Sequence, residues 1–409
     1  MIKLADIKTC TGCMSCYNSC KQGAIKMEED DEGFLYPQIE LDKCVVCGLC
    51  VKRCPELNRK EITLKSMHPK TYAVINNKDK MCSSSGGAFS MIARWILEQK
   101  GIVFGAAMNE DFTVAHIGIE SIEDLYKLRG SKYVQSSIGN TYQIAKDNLN
   151  KGRKVLFSGT GCQIAGLYAF LNNSRYEGQL YTLDLICHGV PSQGAFKAYI
   201  EKLKKSTRLK GEERNIVGFG FRKLDSWMIS PTIQFAKAKE QMLTLSDNAY
   251  MNAFFKGLIF RESCYQCQYC NMNRVGTYTI ADFWGIGKYG VPFKKSISQG
   301  VSLLIDNEGS FEKLVNNFKD SYIEQREISE ALHKQMNLKE PMRRPDARDT
   351  AVLRLEDEKV SLWQFCKDYG LSYKSTFSSK IVFAIKKFIV NTGLLNLYME
   401  ISYKFSQNR

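Results

Sequence analysis

Eight thiols crowd the first 54 residues of the chain. Cys10, Cys13, Cys16 and Cys20 are answered by Cys44, Cys47, Cys50 and Cys54, and both runs share one spacing: three cysteines at every third position, then a fourth four residues on. Thiolate is the soft ligand that iron–sulfur clusters take; a C-x2-C-x2-C loop supplies three tetrahedral corners, and the chain must bring the fourth from elsewhere. Doubled in tandem, this is two-cluster 4Fe-4S ferredoxin spacing, in which the last cysteine of each run ligates the other run's cluster. Cys10, Cys13, Cys16 and Cys54 are therefore expected to hold one cluster, and Cys44, Cys47, Cys50 and Cys20 the second. Two zinc sites or a disulfide knot are the alternatives, but zinc modules usually pair two C-x2-C units across a longer gap. Pro55 follows the last cysteine as the bacterial pattern expects, whereas Lys21 stands where the first run often has proline. Such a module carries single electrons.

Further along, Cys264, Cys267 and Cys270 repeat the three-residue step without a local fourth, and Cys162 and Cys187 are distant candidates to complete them. A third metal cluster uses that inventory economically, with a zinc site as the alternative on spacing alone. Cys82 and Cys366 are expected to be free thiols. Ser83 to Ser90, with Ser85, Gly86 and Gly87 at its centre, precedes a helical apolar spacing at Phe89, Ile92, Ile96 and Leu97. Amides at such a helix start suit a phosphate or a flavin edge, and an ordinary helix cap is the competing reading. Gly285, Gly287 and Gly290 satisfy G-x-G-x-x-G, but a dinucleotide fingerprint needs a helix to open there, and Pro292 argues against one.

The elements that must position these groups follow from pattern. Ile25 to Leu41 reads as a hairpin that folds the two cysteine runs back on each other. Thr71 to Asn76 and Ile102 to Ala107 read as strands, and Arg129 to Ser136 as a polar loop or strand end. Lys154 to Ser158, then Gly159-Thr-Gly161, then Cys162 to Leu171 reads as buried strand, glycine turn and helix, the repeating unit of an open α/β sheet. Cys162 falls at a helix amino terminus, where the dipole favours a thiolate. Leu183 to Ile186 is a further strand that ends in Cys187-His188-Gly189, at the carboxyl edge where α/β sheets place their sites; a buried inert cysteine is the alternative for both thiols. Tyr278 to Trp284 is an apolar stretch, Gly300 to Asp306 a last strand, Phe311 to Phe318 a helix, and Pro341 to Pro345 a linker.

At 409 residues the chain exceeds one ferredoxin and leaves room for one or two further cores. Its 15 cysteines follow no charged-then-apolar leader, and clusters need reduced thiolates, so a cytoplasmic location is expected. No apolar run reaches the length of a bilayer span. The net charge of +14 has an uneven source, with Lys374, Lys380, Lys386, Lys387, Lys404 and Arg409 opposed only by Glu400 near the end. No nucleic-acid motif accompanies it, so a nucleic-acid partner is not expected. Lys380 to Phe405 is basic and apolar-faced, with Phe383, Ile389 and Leu394 on its apolar side, suited to an anionic membrane surface or a protein contact; packing on its own domain is the alternative.

Six ordered motifs carry a resemblance: Ser85-Gly-Gly-Ala-Phe-Ser90, Gly130-Ser-Lys-Tyr-Val-Gln-Ser136, Gly159-Thr-Gly-Cys-Gln-Ile-Ala-Gly-Leu167, Cys187-His-Gly-Val-Pro-Ser192, Ser263-Cys-Tyr-Gln-Cys267 and Ala281-Asp-Phe-Trp-Gly285. Together they resemble the coenzyme F-420 hydrogenase/dehydrogenase beta-subunit family, from the ferredoxin start to about residue 310. The resemblance implies a two-cluster ferredoxin domain over 1–60, an α/β flavin and iron–sulfur domain over 61–340, and a linker with a basic amphipathic helical tail over 341–409, in fold class α+β and α/β. It implies a third cluster on Cys162, Cys187, Cys264 and Cys267, with Cys270 in reserve, and Gly161 replaces a proline common in the family motif. It further implies FAD, held partly by Ser85, Gly86, Gly87, Ser131, Lys132 and Gln135. Lys132 would stabilise negative charge on the reduced ring, and Tyr133 would stack or donate a hydrogen bond, as catalytic residues. The activity implied is an oxidoreductase passing electrons from a ferredoxin or other one-electron donor to a small organic acceptor. That acceptor is coenzyme F-420 or another substrate, since similar bacterial chains accompany surface-polysaccharide biosynthesis genes. A non-catalytic electron-transfer subunit is the alternative.

Overall fold

The two cysteine runs fold onto each other because the segment between them pairs with itself. In the computed structural model, which describes residues 2–58, 69–206, 211–224, 231–243 and 248–371 with the single positions 209, 229, 381, 384, 385, 388, 392 and 394, the chain opens with α1 (Ser15–Ser19), β1 (Ile25–Glu29), β2 (Leu35–Ile39) and α2 (Leu49–Lys52). β1 and β2 are antiparallel, Ile25 opposite Ile39, which supplies the expected hairpin. Gly33 in its turn is left-handed (φ +69°), and its Cα faces Gly194 so closely that a Cβ would lie 2.7 Å from it. Any side chain there would push the hairpin off the domain beneath.

That domain is built on β3 (Lys70–Asn76), α3 (Ala88–Glu98), β4 (Ile102–Met108), β5 (Val114–Ile119), α4 (Leu125–Leu128), α5 (Thr141–Asn150), β6 (Val155–Thr160), α6 (Gly161–Phe170), β7 (Leu180–Leu185) and α7 (Gln193–Lys205). β8 (Ile216–Gly220), β9 (Thr232–Phe235), β10 (Gln241–Met242) and α8 (Ala249–Phe255) follow, then β11 (Tyr278–Asp282), β12 (Ser302–Asp306), β13 (Ser321–Arg326), α9 (Ile328–Leu332), α10 (Arg348–Glu356) and α11 (Leu362–Asp368). Eight strands form one mixed sheet in the order β13-β3-β12-β11-β7-β6-β4-β5. Its centre, β4-β6-β7-β11, is parallel and its flanks are antiparallel. Successive residues of the central strands enter opposite faces, as strand geometry requires: Leu156 packs with α3's Ile92 and Ile96, and Phe157 with α5's Tyr142 and α6's Ile164. The fold is thus mixed α/β, with a ferredoxin-type module at the amino end.

Several boundaries differ from expectation for physical reasons. The expected glycine turn at 159–161 is absent; β6 runs to Thr160, whose side chain and Gln163 form a reciprocal capping box that opens α6 at Gly161. Phe311 to Phe318 is not one helix but two short 3-10 turns, Phe311–Lys313 and Val315–Asn317. Asp306 holds the first by accepting from the Phe311 amide at 2.8 Å, and Phe311 is fixed between Tyr72 and Tyr278. The expected linker at 341–345 does not separate a tail from the domain: Ala351, Val352, Leu355, Leu362, Phe365 and Cys366 join α7, α8 and the β8–β10 strands in one core. As expected, no helix opens at Gly285-x-Gly287. No helix among the described residues is long and apolar enough to cross a membrane. Lys380, Lys386, Lys387, Phe383 and Ile389, on which the tail expectation rests, lie outside the described residues.

If 348–371 belongs to this core, Phe365→Ala should cost about 3–5 kcal/mol in urea unfolding, while Trp363→Ala, a side chain left 54% exposed two residues earlier, should cost under about 1 kcal/mol.

Candidate functional site

The first cysteine loop winds through left-handed backbone at Gly12 (φ 66°) and Met14 (φ 59°) and then enters α1, which turns successive thiols toward one centre. Ser15 donates to the Arg53 carbonyl at 2.8 Å, drawing Cys54 to that centre from the other run. Cys10, Cys13, Cys16 and Cys54 line one small cavity that opens to solvent. Each of Cys10, Cys16 and Cys54 acts electrostatically on Cys13, whose thiol burial and these neighbours hold well above its usual range. Cys50 feels Cys20 and Cys47 in the same way, and Cys44 sits three residues before Cys47 on that loop. Four clustered thiols whose ionised forms would repel one another fit a cationic iron–sulfur core that would take them as thiolates.

The second thiol group is assembled by strand register. In the sheet Thr160 of β6 pairs with Leu185 of β7, and Leu185 pairs with Ile280 of β11. Thr160, Leu185 and Ile280 therefore stand in one row, so that the residues two positions on, Cys162 in α6, Cys187 past β7 and Asp282 at the end of β11, emerge side by side. Cys264 lies in a 3-10 turn, Glu262–Gln266, and Cys267 follows it. Cys162, Cys264 and Cys267 all act on Cys187, and Cys267 and Cys162 on Cys264. Burial pushes the Cys162 and Cys264 thiols up to about 12, so the helix dipole expected to favour a thiolate at Cys162 is outweighed by loss of water. Cys270 is drawn in too, hydrogen-bonded to Cys267 and with its sulfur 3.8 Å from the Cys187 carbonyl. No three His, Cys, Asp or Glu side chains among the described residues converge on a single-ion position.

Residues that sequence reasoning missed brace this group. Asp184, fully buried in β7, pairs with Arg274 at 3.1 Å and accepts from the Val275 and Gly276 amides at 3.1 and 3.0 Å. Arg274 also donates to the carbonyls of Tyr269 (2.5 Å) and Leu185 (2.9 Å), which ties the Cys264–Cys270 loop to the strand that delivers Cys187. An aspartate inside an otherwise apolar strand was the available signal, because a buried charge demands a partner. Beneath α6, His116 makes a hydrogen bond with the Ser158 carbonyl (2.8 Å) and another with Ser136 (2.9 Å), while Gln163 donates to both Ser136 oxygens at 3.1 Å. A carbonyl acceptor puts the proton on Nε2 and leaves Nδ1 to accept; burial pulls the His116 pKa down to about 4.

The module docks onto this same corner. Gly166 of α6 touches it so closely that a Cβ there would lie 2.9 Å from the Cys13 Cβ and 3.1 Å from its sulfur. Glu56 accepts from Tyr269 (3.1 Å) and Gln268 (2.9 Å), Asn18 donates to the Gly139 carbonyl (2.8 Å), and Arg348 pairs with Glu32 (2.6 Å). Gln135, expected at a flavin, instead donates to the Thr11 carbonyl at 2.9 Å and is part of the seam.

The remaining flavin candidates fall on two adjoining segments, for Arg129, whose carbonyl accepts from Lys132, bonds to Ser90 at 3.1 Å and to Asp79 just before the glycine loop. A Cβ on Gly86 would lie 2.1 Å from the Val74 carbonyl and 2.4 Å from the Ser302 amide, so that glycine lets the loop close on β3 and β12. Ser85 donates to the Val301 carbonyl and the Ala88 amide to Ser302, so Ser85 and that amide stitch the loop to the same strand. Lys132 spends its ammonium on the carbonyls of Arg129 (2.8 Å) and Lys127 (3.1 Å), and loss of water pulls its pKa down to about 7. Ser131 is exposed. Of the six, Gln135 is engaged in the seam and Gly86 against β3 and β12, while Ser131 and Lys132 stay on the segment that adjoins the loop. Tyr133 is placed differently: its ring stands edge-on to Phe254 and Phe221, and its hydroxyl bonds with Arg222 and Ser131. Arg222 pairs with Asp282 at 2.5 Å and lies 5.9 Å from the Trp284 ring, with His188 exposed nearby. This half-exposed patch sits one residue from Cys187.

Residues 9–57 match the 4Fe-4S dicluster domain family, and residues 152–331 match the family described as the C terminus of the Coenzyme F420 hydrogenase/dehydrogenase beta subunit. No curated protein matches the chain. Among solved structures the chain is similar to one from the F420-reducing NiFe hydrogenase complex of Methanosarcina barkeri, with 13% identity, 72% of this chain and 94% of that chain covered, and a TM-score of 0.43. A likeness of that size says nothing about activity.

With Cys162, Cys187, Cys264 and Cys267 as ligands, Cys267→Ser should lower the iron content by about four per chain and spare both module signals, and Cys270→Ser should spare all; an iron assay with EPR checks this, and loss on Cys270→Ser would put Cys270 in the set. Separately, the low His116 pKa means the unfolded chain binds a proton that the fold refuses, so stability falls as pH drops below about 6.5. Between pH 7 and pH 5 the parent should lose about 2 kcal/mol more than His116→Asn in urea unfolding.

Proposed function

We infer, from the match of residues 9–57 to the 4Fe-4S dicluster domain and of residues 152–331 to the C terminus of the coenzyme F420 hydrogenase/dehydrogenase beta subunit, an iron–sulfur oxidoreductase that moves electrons from an external one-electron donor to an organic acceptor at the carboxyl edge of the sheet. One observation carries the reading. Candidate ligands form an unbroken file from the module inward, with Cys13 against Gly166 of α6, Cys162 four residues before it on the same helix, and Cys187 beside it. The file ends at the Tyr133, Arg222, Asp282, Trp284 and His188 patch.

Cys10, Cys13, Cys16 and Cys54 would hold the inner module cluster, Cys20, Cys44, Cys47 and Cys50 the outer one, and Cys162, Cys187, Cys264 and Cys267 a third. The module receives electrons singly, and its docked position fixes where they enter the domain. At the far end Arg222 would supply positive charge to an acceptor as it gains electrons, Asp282 would keep that charge in place, and the Tyr133 hydroxyl and the Trp284 face would orient a planar group. FAD bound there would collect single electrons in pairs and supply them to a two-electron acceptor such as coenzyme F-420. The patch suits such planar rings better than the Ser85-Gly86-Gly87 loop does.

Reduction by a low-potential ferredoxin in stopped flow tests the path: Cys13→Ser should abolish cluster reduction beyond the module, yet remain reducible by dithionite. Tyr133→Phe keeps the ring and removes one hydrogen bond to a charged group, so acceptor turnover should fall about tenfold or more while cluster reduction is unchanged. Turnover by the isolated chain with an artificial donor separates an enzyme from a relay protein.

A further inference from the structure

Most of the buried arginines have a carboxylate partner. Arg222 has Asp282, Arg274 has Asp184, Arg326 has Glu330 and Arg348 has Glu32. Arg261, wholly buried and the largest of the fully buried side chains, has none among the described residues. Its hydrogen bonds go to neutral acceptors: the Cys10 carbonyl at 2.8 Å, Gln135 Oε1 at 3.1 Å and the Leu35 carbonyl at 3.1 Å. The guanidinium stacks 3.9 Å from the Tyr36 ring centre, with Phe34 at 5.4 Å. A guanidinium stays charged in any protein environment, and a buried charge with only dipoles around it is among the costliest arrangements a fold can adopt.

The missing negative charge is at hand. Arg261 Nη2 lies 3.8 Å from the Cys10 sulfur, one of the four thiols around the inner cavity. A 4Fe-4S core with four thiolates is anionic in both of its working states and gains one further negative charge on reduction. We propose that Arg261 is the counter-charge of the cluster held by Cys10, Cys13, Cys16 and Cys54 and raises its reduction potential. This rests on the iron–sulfur reading of the module given above. Hydrogen bonds to the sulfurs, net charge and solvent exposure are the levers that set such potentials, and Arg261 works the first two.

Its place in the chain sharpens the role. The Arg261 amide donates to the Val190 carbonyl at 2.9 Å and its own carbonyl accepts from the Cys264 amide at 2.9 Å. The backbone thus belongs to the loops that carry Cys187 and Cys264, while the head reaches into the module. A positive charge held between two clusters favours the electron on either of them over the outer cluster, so one electron from an external ferredoxin-type carrier moves inward with no bond made or broken and no proton taken up. Arg261 is a positioning residue whose effect is read as a potential.

The test is an EPR-monitored potentiometric titration of the full, cluster-loaded chain. Arg261→Gln should lower the inner cluster's midpoint by about 59 mV or more, the one-electron equivalent of tenfold, and leave the outer cluster where it was. Gln135→Glu keeps Arg261 and lays a carboxylate against it, so it should shift the same potential in the same direction; it decides the matter if Arg261→Gln fails to retain iron. Arg261→Lys keeps the charge and should stay within about threefold of the parent, less than half that shift. Iron-replete Arg261→Gln or Gln135→Glu with an unshifted inner potential overturns the proposal, as does a lysine variant that falls as far as glutamine. A parent chain with no 4Fe-4S signals from its module instead refutes the cluster reading itself, a separate outcome.

Discussion

The shared register of three parallel strands at their carboxyl ends is the constraint on which the rest of the molecule depends. Thr160, Leu185 and Ile280 lie in one row across β6, β7 and β11. From that row the chain launches α6 with Cys162, the loop with Cys187 and His188, and the turn with Asp282 and Trp284. A slip of one residue in any strand would turn its side chains to the other face and take its functional group out of the row. The Asp184–Arg274 pair guards against such a slip, because it binds the middle strand to the loop carrying Cys264, Cys267 and Cys270. Its two charges are buried and mutually satisfied, so removing either would strand the other in a dry interior.

The same row receives the ferredoxin-type module. Docking combines close backbone approach at Gly33 with Gly194 and at Gly166 with Cys13, polar bonds from Asn18, Glu56, Gln135 and Glu32, and apolar packing of Met14, Tyr17, Met27 and Leu35 on the core beside α5 and α6. Directional bonds fix orientation where apolar contact alone would permit sliding. For electron transfer, orientation and separation matter more than the strength of attachment, so a seam of this kind is suited to holding two redox centres at one spacing.

How much of this was legible in the sequence varied with the range of the interaction. The doubled cysteine runs could be read at once because cluster ligation is a local spacing rule, and the crossover of Cys54 into the first set follows from it. The thiols at 162, 187 and 264 are far apart in the chain, and only strand register brings them together, which no local pattern encodes. Ser85-Gly86-Gly87 was ambiguous for a different reason. A glycine before a helix serves either an anion or a neighbouring strand, and the residue type is the same in both cases; here Gly86 lies against Val74 and Ser302. Gln135 carried no signal at all, since an amide that bridges two domains looks like any loop amide. The stretch from Pro341 reads as a linker into a tail because two prolines bracket a short polar run, whereas Arg348 turns inward to Glu32 and Val352, Leu355 and Phe365 enter the core.

The two ends of the module are unequally sheltered. Cys10, Cys13 and Cys50 are buried, but Cys47 is exposed, and around it Leu41, Val45 and Val46 are each more than 60% exposed. An iron held at Cys47 would stand in reach of dissolved oxygen and peroxide, while the Cys10 sulfur lies beside Arg261, which is stacked on Tyr36 with Phe34 near. Exposure to air would then strike in sequence, the outer cube first. A chain damaged in this way would keep its inner metal, its colour in part and its fold, yet would have lost its port of entry, so that iron content would overstate the fraction of molecules still able to accept an electron.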